Sequence, residues 1–133
     1  MKIYEIDGAA FETLDGFFNE VSRVLIPGSF WGRNLDAFND ILRGGFGTPD
    51  EGFGLRWKNH ALSRQKLGYP ATVRWLEEAL GVCHPTNREG LRRELQLARE
   101  EKGPTVFDWL VKILTRHGPG GEEAEDNVEL ELA

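Results

Sequence analysis

Asp36 and Asp40 are the side chains of this sequence best suited to act on another molecule. Four positions apart, they share one side of any helix that contains them, and two like charges at that spacing weaken the helix slightly. Asn39 and Arg43 fall on the same side. Such a ridge offers carboxylate oxygens to the arginines, lysines or histidines of a partner's substrate cleft. The plainer account is a solvated face, with Asp36 complementing the positive end of the helix. Phe30 and Trp31, just upstream, either plug a core or line a contact surface, where large aromatics serve as anchors.

Nothing else in the chain suggests catalysis. There is no glycine-rich phosphate loop, metal-ligand spacing or nucleophile elbow. His60, His84 and His117 are scattered among helix ends and loops, as surface or capping histidines would be, and a general base needs a positioned partner. Cys83 is the only cysteine, so it reads as a half-buried structural thiol that cannot form an intrachain disulfide. No catalytic residue, cofactor or metal is expected, and the chemistry is that of binding.

The elements that must position these residues can be traced by period and punctuation. Residues 2–6 alternate and stop at Asp7-Gly8, as a strand does. Leu14, Phe17, Phe18, Val21, Val24 and Leu25 form a helical stripe, with Thr13 as N-cap and Pro27-Gly28 as the stop. Asn34 caps a second helix reaching about Leu42, with Leu35, Phe38, Ile41 and Leu42 inward and Gly44-Gly45 ending it. A strand is expected over 53–57. A short helix over 60–67, capped by Asn59, precedes a helix begun by Pro70 and ended by Gly81. Thr86-Asn87-Arg88-Glu89 matches a capping box opening the next helix, and Thr105 caps the last. Residues 119–127 read as a mobile acidic loop before a closing strand at 128–132. The order β-α-α-β-α-α-α-α-β calls for an α/β protein, a small and mainly parallel three-stranded sheet packed with helices.

At 133 residues, 40% hydrophobic with 14 aromatics, the chain can bury one core without disulfides or metals. A single domain spanning 1–133 is expected. The absence of a long apolar run argues against a membrane span or a secretory leader, and with the lone cysteine it points to a cytoplasmic protein. The net charge of −6 is unevenly spread: residues 1–51 carry four basic and nine acidic groups, residues 52–118 twelve and seven, and residues 119–133 none and six. An acidic pole steers cationic partners toward itself and repels nucleic acid.

Ile26-Pro27-Gly28-Ser29-Phe30-Trp31-Gly32-Arg33-Asn34-Leu35-Asp36-Ala37-Phe38-Asn39-Asp40-Ile41-Leu42 resembles the barstar family of intracellular ribonuclease inhibitors, as do Ile6-Asp7-Gly8 and Leu55-Arg56-Trp57-Lys58-Asn59-His60. The resemblance covers about residues 1–68, and 105–133 by topology. It implies a three-stranded parallel sheet, with the second helix and the loop before it covering a nuclease active site so that carboxylates stand where substrate phosphates would sit. Carried onto this chain, Asp36 and Asp40 imitate phosphates, Phe30 supplies the aromatic contact and Gly44 the close approach at the helix end, while Asn34 holds loop and helix together. Asn39 stands where the family has a contact tryptophan, Arg33 brings a positive charge near the acidic pair, and residues about 70–103 form a basic helical insertion. The expected partner is a ribonuclease or other nuclease with a basic cleft, met by a monomer. That function requires both carboxylates to be exposed and not locked in ion pairs with the chain's own arginines.

The alternative is a nucleic-acid-binding or regulatory module working through helix 87–102, where Arg88, Arg92, Arg93, Arg99 and Lys102 supply positive charge. Glu89, Glu94, Glu100 and Glu101 speak against it by making ordinary intrahelical pairs. A steep salt dependence of RNA or DNA binding distinguishes the two.

Overall fold

Alternating burial along β1 (Ile3–Asp7) turns Tyr4 and Ile6 inward, and the computed structural model, which describes residues 1–133, builds its sheet outward from there. Thr13 caps α1 (Leu14–Val24) by accepting from the Gly16 amide, and the helix lays Phe17, Phe18 and Val21 on the sheet. α2 (Leu35–Ile41) follows a loop near whose start Gly28 turns the chain at φ 81°. The chain then returns as β2 (Phe53–Lys58), the central strand, whose Phe53, Leu55 and Trp57 are buried. Next come α3 (His60–Lys66), α4 (Tyr69–Val82), α5 (Arg88–Arg99) and α6 (Val106–Arg116), and β3 (Val128–Leu132) completes the sheet.

The strand order is β1-β2-β3 and both pairings are parallel, with Leu55 opposite Tyr4 on one side and Leu130 on the other. Parallel neighbours need helical crossovers, and the four helices between β2 and β3 supply the second. The core is aromatic. The ring of Trp57 lies 5.2 Å from both Phe17 and Phe107, and its indole N–H donates to Ser63 Oγ at 3.0 Å. A smaller cluster, Leu76 with Leu95 and Ala98, joins α4 to α5, and Trp75 against Trp109 at 5.1 Å ties it to α6. No helix is long and apolar enough to cross a membrane.

Four local expectations need correction. The Asn59 side chain does not cap α3: Asn59 sits at φ 53°, and its amide donates to Asp7 Oδ1 across the end of the sheet. Gly81 does not end α4, which runs through it to Val82, because one glycine weakens a helix without breaking it. The capping box at Thr86 does not form. Pro85 sets up a 3-10 turn over Pro85–Asn87 instead, and His84 caps that turn by accepting from the Thr86 amide. Finally, residues 119–127 are not a loose acidic loop. The Glu123 amide donates to the Arg116 carbonyl, a 3-10 turn covers Ala124–Asp126, and the Val128 amide donates to the His117 carbonyl.

Candidate functional site

Asn34 fixes the start of α2, its Oδ1 accepting from the Ala37 amide at 2.8 Å. Phe38 and Ile41 then face the core, Leu35 and Ala37 pack partly against it, and Asp36 and Asp40 face outward. Asp36 is exposed and makes no ion pair or side-chain hydrogen bond. Its place in the first turn puts it beside the positive end of the helix. Phe30 is 99% exposed, which for a phenyl ring is a large unsatisfied apolar area. Neighbouring Trp31 is not on the contact surface. It is 7% exposed, packs edge-on against Phe18, and donates its indole N–H to Ser22 Oγ, so its part is in the core.

Asp40 is exposed but not free. Arg43, one turn on, brings Nη1 to within 2.5 Å of its Oδ1. The same guanidinium grips Glu123 of the 119–127 turn through Nε at 2.7 Å and Nη2 at 3.2 Å. That grip holds the Glu123 carboxyl below its ordinary value and raises Arg43 above its own. The requirement that both carboxylates be unpaired is therefore met by Asp36 alone. Arg33 points its charge away from the ridge: at φ 49° its Nη1 donates to Asn19 Oδ1 of α1.

Asn39 is turned from solvent toward His117, whose Nε2 lies 2.7 Å from Asn39 Oδ1. His117, 0% exposed at the end of α6, places its other nitrogen 2.6 Å from Asp126 Oδ2. Glu123 Oε2 approaches Nε2 to 3.8 Å. A buried imidazole thus fastens the middle of α2 to the acidic turn, a role the sequence did not disclose because these residues lie 78 and 9 positions apart. His117, Glu123 and Asp126 also form a potential metal-ligand group. Both ring nitrogens already hold close oxygens, however, and Arg43 occupies Glu123.

Gly44 adopts φ 102° where the chain leaves α2, and a side chain there would meet nothing within 4 Å; its conformation is what calls for glycine. On α5, Arg88, Arg92 and Arg93 are exposed, while Arg99 pairs with Glu77 of α4 at 3.2 Å. Together, α2 and its preceding loop present one aromatic, one free carboxylate and one paired carboxylate on a rigid support. Such a surface can receive cations.

The family model described as Barstar (barnase inhibitor) matches residues 1–97, from β1 into α5, and so includes every candidate contact residue. A comparison with curated proteins gives no match.

Proposed function

The chain belongs to the barstar family of ribonuclease inhibitors, and from that membership we propose that it blocks a ribonuclease by laying α2 and the Phe30 loop over the enzyme's active site. The family is one of inhibitors and not of enzymes. In this reading Asp36 and Asp40 take positions that substrate phosphates would occupy, Phe30 seats against the enzyme beside them, and Gly44 lets the backbone come close. The carrying observation is the exposed Asp36–Asp40 edge of a helix whose other face is buried, preceded by a fully exposed phenylalanine. Asp40's bond to Arg43 does not remove it from play. Exposed ion pairs contribute about 0–1 kcal/mol, which the guanidinium of a nuclease cleft can exceed once water is excluded.

Co-expression with a panel of ribonucleases, barnase among them, tests the proposal by rescue of host growth. Protection by the native chain is expected from at least one enzyme, with loss of protection in Asp36→Ala and Asp40→Ala. If no enzyme is neutralised, or both variants protect as well as the native chain, the inhibitor reading falls.

A further inference from the structure

We propose that Glu123 is a positioning residue that retains the Arg43 guanidinium, so that Asp40 can be given up to a cation of the partner. The inference rests on the reading of α2 as the contact surface and adds a residue outside the segment that the family model matches.

Arg43 is held unequally on its two sides. Toward Glu123 it makes two parallel bonds, Nε to Oε1 and Nη2 to Oε2, with an acid whose side chain is 25% exposed. Toward Asp40 it makes one bond, with an acid whose side chain is 61% exposed. Bidentate arginine–carboxylate pairing is both stronger and more directional than a single contact, and shielding strengthens it further. A cation arriving at Asp40 therefore breaks the weaker arm and leaves Arg43 on Glu123.

Glu123 can do this because its turn is fixed. Its amide bonds to Arg116, and three residues on Asp126 is held by the buried His117 ring, which also holds Asn39 of α2. The distance between Glu123 and the C-terminal end of α2 is set by these contacts and not by the Arg43 pair itself. Without Glu123, the Arg43 side chain would pivot fully onto Asp40, neutralising the carboxylate that the partner needs. Arg43 would then repel the incoming cation as well. With Glu123 in place, the three acids Asp36, Asp40 and Glu123 outnumber Arg43, which is held between Asp40 and Glu123 with its stronger grip on Glu123.

Binding of acetyl-tetra-arginine amide, followed by amide and guanidinium NMR signals, tests the arrangement in the free full-length chain. The native protein should shift at Asp36 and Asp40 while the Arg43 Nε–H signal stays protected at saturation. E123Q should weaken peptide binding about threefold, within the range of exposed charge pairs. The double variant E123Q with R43A should regain native affinity or better, because no arginine is left to occupy Asp40. A structural role for Glu123 would give the same loss in E123Q and in the double variant, which overturns the proposal. Loss of the Arg43 Nε–H protection when peptide binds, or no shift at Asp36 and Asp40 in any variant, overturns it too. Failure of the inhibitor reading shows separately, as absence of growth rescue with this cycle intact.

Discussion

Two adjacent aromatics divide the labour at the start of the candidate surface. Trp31 buries its rings against Phe18 and satisfies its indole N–H on Ser22, so Trp31→Ala leaves a cavity and an orphaned hydroxyl, a loss of about 3–5 kcal/mol. Phe30→Ala removes nothing from the core, and its stability should stay within about 0.5 kcal/mol of native. Urea denaturation of the two variants gives the comparison; equal destabilisation would mean that Phe30 packs on the chain and offers no anchor. Adjacency made both residues visible in the sequence but could not say which was turned out. Side chains one residue apart diverge, and only the position of α1 decides which meets Phe18.

At the scale of elements, the local signals that proved legible were those whose partner lay within four residues. Thr13, Asn34 and Thr105 each cap the helix that follows, and the Asn34 bond predicts a loss of about 1 kcal/mol in Asn34→Ala, read by thermal or urea unfolding. Thr86-Asn87-Arg88-Glu89 carried an equally good local signal and failed, because Pro85 committed the backbone to a different turn. The 119–127 turn was illegible for the opposite reason. Its acids look like solvent-exposed tail residues until Arg43 and His117 arrive from 80 and 9 positions away. The Arg43–Glu123 strap has a definite pH sense. Glu123 lies below its ordinary value of 4.5 when folded, so its stabilisation is complete above that value and disappears as acid protonates the folded carboxylate. Arg43, raised further from an already high value, contributes no transition in this range. The Arg43 Nε–H signal should therefore hold from neutral pH down through 4.5 and collapse only below it; loss near neutral pH would show that Glu123 does not hold the guanidinium.

Across the whole molecule, the periodicities of nine elements sufficed to expect a small, mainly parallel three-stranded sheet packed with helices, because strands separated by helices call for crossovers, whereas the order β1-β2-β3 came only with the structure. They did not reveal that apolar residues divide between two clusters. The larger joins the sheet to α1, α2 and α6, whereas Leu76, Leu95 and Ala98 hold α5 chiefly to α4. The surface proposed to meet a nuclease rests on the first cluster, so stability and binding should separate when the second is damaged. Leu95→Ala removes a side chain only 5% exposed, and truncation at such a site costs about 2–5 kcal/mol. Because few contacts link α5 to the sheet, that loss should appear as local opening. Amide exchange across residues 88–99 should accelerate strongly, while β2 amides and the peptide affinity of α2 stay native. A uniform rise in exchange through β2 would instead show that α4 and α5 unfold only with the sheet. In that case the smaller cluster is as necessary to the contact surface as Phe17 and Trp57 are.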